Sequence, residues 1–320
     1  MRRWKKKPAE GTLDSETTPL AVLHIIHGKG EHSLRYERLA EKLVSAGIEV
    51  WVPDQRGRGK TADLEINDAG SGGLAGHCAD KDCFNLISSD VHEINQEIKK
   101  IYNDVPIFLL GHSSGSFTAQ NYIQEYSQKS IINGCILSGI SGPGGFKTRF
   151  LTFIMPFLTL LFGARTRPRV VRNKMAGTYN KYFKPNRTNF DWLNRDETQV
   201  DSYINDPVRV RYCSFSFYRD FSRGLQKIHR QKEIAKININ LPIYIISGSV
   251  DAVGFMGIGP TRVVDDYRSH GIKDLEFVLY PGARHEILNE TNRDEVIGNL
   301  VSWMERHLGK QISDNLTNAD

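Results

Sequence analysis

A serine between two glycines, in the pentapeptide GHSSG at 111–115, ends a short apolar segment and directly precedes a helical pattern. Residues 105–111 are apolar enough for a buried strand, and residues 115–128 have helical spacing. In this context a G-x-S-x-G pattern is typical of a sharp strand-to-helix turn that exposes the serine hydroxyl. A side chain at either glycine would collide with the neighbouring strand or helix. We therefore predict that Ser113 is a nucleophile, and an ordinary Gly/Ser turn is the alternative.

Strand and helix patterns alternate along most of the chain. Short apolar runs predict strands, and apolar residues three and four positions apart predict helices. The predicted strands are 20–27, 48–54, 105–111, 131–139, 241–249 and 275–282, and the predicted helices are 35–46, 84–102, 115–128, 261–270 and 292–308. Such alternation with short connections is typical of a parallel sheet covered on both faces, which indicates the α/β class.

This alternation stops between residues 142 and 238, where helical patterns and aromatic residues occur without a convincing central strand. We therefore expect one α/β domain, formed by residues 20–141 and 239–309 and interrupted by an inserted, mainly helical cap at 142–238. Residues 1–19 are expected to form a basic N-terminal segment, and residues 310–320 a polar tail.

The net charge of +5 is unevenly distributed. Of the 42 lysines and arginines, five lie in residues 1–7 and ten in residues 141–190, and neither stretch contains Asp or Glu. The rest of the chain is therefore acidic, so we expect no nucleic-acid partner. Four cysteines are too few for a secreted disulfide framework, and no apolar segment follows the basic N-terminus as in a secretory signal. We expect a cytoplasmic protein.

A serine hydroxyl needs a general base, and the base needs an acid that orients it. With a nucleophile on such a turn, the acid and then the histidine follow along the chain, each after a strand that ends at the same sheet edge. Asp251 comes just after the strand predicted at 241–249, and His285 just after the strand predicted at 275–282. We therefore predict that Asp251 and His285 complete a catalytic triad with Ser113.

Other residues could take these two roles. Asp265, Asp266 and Glu286 are alternative acids, but none of them lies just past the end of a predicted strand. His32 is the alternative base, since it lies near the loop that follows the first predicted strand. We prefer Asp251 over the three other acids.

Backbone N–H groups must stabilise the negative charge that develops on the attacked carbonyl oxygen. One donor is expected to be Ser114, which begins the helix after the turn. The second is expected from the loop 27–32 after the first predicted strand, with Lys29 as the donor. A lysine is acceptable there because only its backbone is used.

An apolar run at 150–162 lies inside the predicted cap. Crossing a bilayer takes about 20 residues, and this shorter run is interrupted by Pro156, so it is not predicted to span a membrane. We expect it to close over the active site, because a helix that is apolar on all sides is normally buried. The alternative is a lid whose apolar face touches an anionic bilayer while flanking arginines bind phosphate. The side chains expected to line an acyl tunnel are Phe150, Phe153, Phe157 and Leu160.

Two shorter patterns do not predict a site. GRGKT at 57–61 resembles the end of a Walker A motif, but the first glycine of that motif is replaced by Asp54. His77, Cys78 and Cys83 have neither the spacing nor the number of ligands that a zinc site needs. We expect no metal site.

Six segments, taken in order, resemble the bacterial lysophospholipase and monoacylglycerol lipase-like branch of the α/β-hydrolases, a group of S33-type serine hydrolases. They are HGKGEHSLRYERLAEKL, VPDQRGRGKT, FLLGHSSGS, FDWLNRDETQVDSYINDP, SGSVDAVG and YPGARHEILNET, and the similarity spans residues 20 to 308. The resemblance implies an α/β-hydrolase fold, with a mostly parallel central sheet, helices on both faces and an inserted cap.

The resemblance also implies a serine esterase that cleaves single-chain lipid esters through an acyl-enzyme on Ser113. It implies His285 as acid and base, Asp251 as the residue that orients it, and the N–H groups of Lys29 and Ser114 as oxyanion donors. No cofactor is implied. Lysophospholipids and monoacylglycerols are the expected substrates, and the basic cap favours a phosphate head group. Peripheral contact with an anionic membrane through the basic, apolar cap is a further expectation.

Three alternatives stay open. A general short-chain carboxylesterase would lose activity steeply as the acyl chain lengthens. A catalytically idle binding protein that kept the fold would lack a member of the triad, and none is missing. A peptidase would need an acidic anchor for a free amino terminus, and the predicted cap offers no obvious one.

Overall fold

The computed structural model describes residues 1–6, 18–63, 73–144 and 146–308. Its strands are β1 (Arg2–Trp4), β2 (Ala21–Ile26), β3 (Ile48–Val52), β4 (Ala62–Asp63), β5 (Gly73–Leu74), β6 (Ile107–His112), β7 (Gly134–Ser138), β8 (Ile243–Gly248) and β9 (Leu275–Tyr280). Its helices are α1 (Glu37–Ser45), α2 (Cys83–Ile101), α3 (Ser114–Tyr126), α4 (Phe146–Phe162), α5 (Arg169–Asn180), α6 (Glu197–Asn205), α7 (Phe215–Ile228), α8 (Gln231–Ile234), α9 (Ile258–Ser269) and α10 (Arg293–Arg306).

Seven strands form one sheet in the order β1-β3-β2-β6-β7-β8-β9, and β4 and β5 pair separately. From β3 to β9 every neighbouring pair in this sheet is parallel, and only β1 is antiparallel to its neighbour. All six predicted strands and all five predicted helices are present, with ends that differ by a few residues. The predicted α/β class is therefore confirmed.

Both faces of this sheet are buried, which explains why its strands are continuous apolar runs in the sequence. Along β2, Leu23 and Ile25 belong to the core shared with α1 and α10. Val22 and Ile26 point the other way, into the core shared with α2, α3 and α9. Because the strands from β3 to β9 are parallel, their carboxyl ends lie at one edge of the sheet, with helices packed on both faces.

The N-terminal basic segment contains a strand that the sequence analysis did not predict. β1 pairs antiparallel with β3, and the guanidinium of Arg3 contacts the carboxylate of Glu49 and the hydroxyl of Tyr102. It also lies 4.9 Å from the ring centroid of Trp51. Three residues are too few to show an alternating pattern in the sequence. They form a strand because they pair with the otherwise unpaired edge of β3.

Between β7 and β8, the described residues form helices α4 to α8 and no strand. We call residues 142–238 the cap segment. α4 packs against α7 and continues through Pro156, which the sequence analysis expected to interrupt the apolar run. No helix in the described part of the chain is both long enough and apolar enough to cross a bilayer.

Candidate active site

The three residues predicted as a triad come from three loops at the same edge of the sheet. Ser113 follows β6 directly, Asp251 lies shortly after β8, and His285 lies shortly after β9. The structure brings their side chains into a hydrogen-bonded series. Ser113 Oγ is 2.9 Å from His285 Nε2, and His285 Nδ1 is 2.9 Å from Asp251 Oδ2.

The carboxylate of Asp251 determines where the imidazole proton lies. An ionised carboxylate can only accept, so Nδ1–H of His285 donates to Asp251 and Nε2 is left to accept from the hydroxyl of Ser113. Asp251 is fully buried, and its second oxygen, Oδ1, accepts the N–H of Val253 at 2.8 Å. This is the tautomer that can remove the serine proton.

Burial and the neighbouring carboxylate shift the pKa of His285 in opposite directions. Burial lowers this pKa because it disfavours the charged imidazolium, but the charge of Asp251 and the hydrogen bond to it outweigh burial. The pKa of His285 is therefore raised above its ordinary value of 6.5. The base becomes available only as the pH rises through that raised value.

The backbone of Ser113 has a conformation that residues other than glycine rarely adopt, and close contacts surround it. Its φ is 53° and its ψ is −120°. A Cβ on Gly115 would lie 2.0 Å from the carbonyl oxygen of Ile26, and one on Gly111 would lie 2.5 Å from the carbonyl oxygen of Gly115. The predicted need for glycine at both positions is confirmed.

The two predicted oxyanion donors belong to two backbone segments close to the serine. Ser114 is the first residue of α3, and the first N–H groups of a helix have no acceptor within it. Lys29 lies in the loop after β2 and lines the same cavity as Ser113. This loop approaches the serine so closely that a Cβ on Gly28 would be 3.4 Å from the Cβ of Ser113.

A network of buried charges, not predicted from the sequence, holds the loop after β2. The carboxylate of Glu31 accepts the N–H of Gly28 at 2.7 Å and the hydroxyl of Tyr36 at 2.8 Å. Arg35 lies 3.4 Å from Glu31 and donates two hydrogen bonds to Glu286, at 2.8 and 3.0 Å. Arg35 therefore ties the loop of the predicted oxyanion donor to the loop of the predicted base.

The two carboxyl groups in this network have opposite pKa shifts. Burial raises the pKa of Glu286, and the charge of Arg35 offsets this only in part. Burial would also raise the pKa of Glu31, but the nearby charges of His112 and Arg35 and the hydrogen bond from Gly28 lower it to about 2. Glu31 is therefore ionised at neutral pH, and Arg35 is its counter-charge.

Arg58 also contacts the loop after β2. It is fully buried, and its Nε donates to the carbonyl oxygen of Lys29 at 3.1 Å. Its guanidinium carbon lies 4.5 Å from the ring centroid of Phe217. This contact fixes the backbone orientation at the predicted donor, and no local sequence signal indicated it.

The alternative residues do not join the triad. His32 Nε2 is 2.7 Å from Asp206 Oδ2 in the cap segment. Asp265 and Asp266 lie on α9, and Glu286 binds Arg35. Within the described ranges, none of these side chains forms a hydrogen bond with the predicted nucleophile or base.

No group of three or more His, Cys, Asp or Glu side chains lies close enough to hold a metal ion, as far as the structure describes the chain. Instead, His77 Nδ1 is 3.1 Å from the hydroxyl of Ser214, and Cys78 contacts the carbonyl of Cys83. Residues 57–61, the Walker A look-alike, end in a short 3-10 turn, Gly59–Thr61.

A cavity of about 700 Å³, part of it open to solvent, lies in front of Ser113. The core supplies the loop after β2 and the loop that carries His285. The cap segment supplies an aromatic and basic wall, which includes Tyr179, Phe190, Trp192, Tyr203, Arg209 and Tyr218.

The apolar residues expected to line an acyl tunnel do not reach this cavity. They are Phe150, Phe153, Phe157 and Leu160, and all four are exposed, Phe153 by 81% and Leu160 by 85%. They share one stripe of α4, whereas the opposite stripe, with Met155, packs on α7. The predicted tunnel lining is therefore wrong, because a helix that is apolar on all sides does not reveal which stripe is buried.

Comparison with known proteins identifies clear relatives. A family model described as "Serine aminopeptidase, S33" matches residues 17–292. The monoglyceride lipase of Mus musculus is 25% identical over 91% of this chain and 84% of its own length. Phospholipase YtpA of Bacillus subtilis is 24% identical over 91% of this chain and 97% of its own length. A solved carboxyl esterase from Bacillus coagulans has a TM-score of 0.82 at 28% identity, with 91% of each chain covered.

Proposed function

We propose that this chain, which belongs to the serine aminopeptidase S33 family, hydrolyses carboxylic esters of single-chain lipids through an acyl-enzyme on Ser113. The family model spans most of the chain, and the predicted family and α/β-hydrolase fold are confirmed. The proposal depends chiefly on the hydrogen-bonded series of Asp251, His285 and Ser113 at the cavity. The lipid substrate class is supported by relatives named monoglyceride lipase and phospholipase.

In the first half of the proposed reaction, Ser113 Oγ attacks the ester carbonyl carbon while His285 Nε2 takes the hydroxyl proton. The carbonyl oxygen becomes an oxyanion that accepts hydrogen bonds from the N–H groups of Lys29 and Ser114. The bond to the alcohol then breaks, and the imidazolium gives its proton to the leaving oxygen. Asp251 accepts the hydrogen bond from Nδ1–H and stabilises the imidazolium throughout.

In the second half, water takes the place of the alcohol. His285 removes a proton from the water molecule as its oxygen attacks the acyl carbon on Ser113. The bond between the acyl carbon and Oγ breaks, and the imidazolium returns its proton to Oγ. One ester and one water have then become one fatty acid and one alcohol.

A peptidase activity is less well supported than an esterase activity. A substrate with a free amino terminus needs an uncompensated negative charge in the cavity. Among the described residues that line it, the carboxylates are Glu31 and Glu286, and both contact the guanidinium of Arg35. Together with Arg35, the lining residues Lys29, Arg209 and Arg211 give the site more cations than carboxylates, which argues against an ammonium-binding site.

A substrate panel tests the proposal. It contains monoacylglycerols of increasing chain length, lysophosphatidylcholine, short nitrophenyl esters and an aminoacyl nitroanilide. We expect Ser113→Ala and His285→Ala to lower kcat by roughly 10⁴-fold or more on the lipid esters, because the triad acts as a unit. His32→Ala is the matched control and should keep most of the activity. Turnover that persists in Ser113→Ala would contradict the proposal, and activity that falls steeply with chain length would favour a short-chain carboxylesterase.

We also propose that α4 contacts the surface of an anionic bilayer. Large apolar side chains on one stripe of this helix are exposed, which is uncommon on the surface of a monomer. Exposed cations flank the stripe, and the stretch 141–190 contains no Asp or Glu. The apolar residues of the stripe are Phe150, Phe153, Phe157, Leu160 and Leu161, and the exposed cations include Arg149, Arg165, Arg169 and Lys174. Apolar area between cations fits a negatively charged lipid surface.

Co-sedimentation with vesicles of increasing phosphatidylglycerol content tests this contact. We expect binding to rise with anionic lipid and to fall with salt. Phe153→Ser combined with Leu160→Ser should weaken binding about tenfold or more, since each large side chain contributes about 1.5–3 kcal/mol when buried. Ile101→Ser, at an exposed apolar residue of α2, is the control. Binding that depends on neither lipid charge nor salt would contradict the proposal.

A further inference from the structure

Arg209 is a buried cation in the wall of the cavity that contains Ser113. It lies in the irregular segment between α6 and α7, and only 7% of its surface is exposed. Its guanidinium carbon is 4.8 Å from the ring centroid of Tyr203 and 5.1 Å from that of Phe190. The two rings hold the guanidinium in place but supply no negative charge.

No carboxylate compensates this charge within the described part of the chain. Arg209 forms no ion pair there, and its Nε has no hydrogen-bond partner. The guanidinium hydrogen-bonds the hydroxyl of Tyr203, and burial raises the pKa of this hydroxyl, so it supplies no negative charge. Arg35 stacks on the same Tyr203 ring at 5.0 Å, yet it contacts both Glu31 and Glu286. A buried charge without a counter-charge is costly, so an arginine in this state is prepared for an anion supplied from the cavity.

The segment that carries Arg209 packs directly against the loop beside the nucleophile. A Cβ on Gly30 would lie 2.5 Å from the hydroxyl of Tyr203 and 3.5 Å from the carbonyl oxygen of Val210. The same loop passes next to Ser113 at Gly28. Arg209 therefore belongs to the wall that a substrate bound at Ser113 must face.

The other charged residues that line the cavity also favour a negatively charged ligand. Its carboxylates, Glu31 and Glu286, already contact Arg35. Lys29 and Arg211 also line the cavity and add positive charge. A negatively charged group on the ligand would be attracted here, and a second cation would be repelled.

We propose that Arg209 binds the phosphate of a single-chain phospholipid, so that the enzyme prefers lysophospholipids over neutral monoacylglycerols. This inference rests on the ester hydrolysis proposed above. A guanidinium presents several N–H donors in one plane and is well suited to phosphate oxygens. Arg209 is thus a specificity-determining residue that leaves the bond-breaking steps to the triad.

The first experiment compares two substrates with the same acyl chain, lysophosphatidylglycerol and monoacylglycerol, in neutral mixed micelles. For Arg209→Met we expect kcat/KM to fall about 10- to 100-fold on the phosphate ester and by less than about threefold on the neutral ester, since one hydrogen-bonded charge is lost. Arg209→Lys should recover part of the loss. Arg306→Met, at an exposed arginine of α10 paired with Glu276, should change neither value. Equal losses on both substrates, or no loss on the phosphate ester, would overturn the inference.

A binding measurement separates this inference from the proposed reaction. Calorimetry with glycerol 3-phosphate should show binding to the wild type and to Ser113→Ala, and a weaker signal with Arg209→Met. Glycerol should bind to none of the three. If the wild type cleaves neither lipid but this pattern holds, the hydrolase proposal fails and the phosphate site stands. If inorganic phosphate binds as tightly as glycerol 3-phosphate, the site takes a free anion and the head-group assignment fails.

Discussion

Replacing Asp251 with asparagine would remove the negative charge beside His285 while leaving the size of the side chain nearly unchanged. The carboxylate is fully buried and lies 2.9 Å from Nδ1. Two unit charges about 4 Å apart attract by about 4 kcal/mol at an effective dielectric constant near 20, and this attraction exists only while the imidazole is protonated. Each 1.4 kcal/mol is a factor of ten, so we expect kcat to fall by about 10³-fold. The asparagine amide would also favour the imidazole tautomer that cannot accept the serine proton, and this would increase the loss of kcat towards about 10⁴-fold.

The same substitution would shift the pH profile in a direction that the structure determines. In the wild type, Asp251 raises the pKa of His285 above 6.5, and kcat/KM should rise with pH through that raised value. In the asparagine variant, burial still lowers the pKa of His285, but no carboxylate raises it. The rise of kcat/KM with pH should therefore move below pH 6.5. Initial rates on a neutral ester from about pH 4.5 to about pH 9 would measure both limbs. Asp265→Asn, at an exposed residue of α9, is the control. A loss smaller than tenfold, or an acidic limb that does not move, would refute this reasoning.

Three further predictions concern the fold and its buried charges. Gly115→Ala would place a Cβ 2.0 Å from a carbonyl oxygen of β2 and should lower the free energy of urea unfolding by about 1–3 kcal/mol or more. Gly298→Ala is the control: its Cβ would have no heavy atom within 4 Å, and it should stabilise α10 by about 0.5–1 kcal/mol. Trp303→Ala would empty a fully buried site and should cost about 3–5 kcal/mol, and an unchanged melting temperature would contradict this. Arg35→Met should cost about 3–5 kcal/mol at pH 7, because it leaves Glu31 buried without a counter-charge. The difference in the free energy of unfolding between this variant and the wild type should become smaller as the pH falls from about 4.5 to about 2, because Glu31 becomes protonated in this range. A difference that does not change with pH would contradict the reasoning.

The positions of Ser113, Asp251 and His285 could be inferred from the order of residues along the chain. The turn at the serine requires glycine on both sides for a local steric reason, so it leaves a signature in five residues. Parallel strands place all their carboxyl ends at one edge, so residues that follow two other strands must lie near the serine. Local sterics and strand direction are both readable without coordinates.

The charges around the site could not be inferred in the same way. Glu31, Arg35 and Glu286 meet although more than 250 residues separate Arg35 from Glu286 along the chain. In the sequence they resemble ordinary surface charges, because no periodicity marks a charged residue that becomes buried by contact with a distant loop. The lack of a counter-charge at Arg209 is likewise visible only once its neighbours are known.

From the amino-acid order alone come the α/β class, the succession of strands and helices, and the side chains that meet at the carboxyl edge of the sheet. These depend on periodicity and on steric rules that act within a few residues. Folding in three dimensions adds the antiparallel strand β1, the stripe of α4 that faces outward and the pairing of buried charges. These depend on how elements pack against each other, and a run such as 150–162, apolar on every side, carries no information about which side finds a partner.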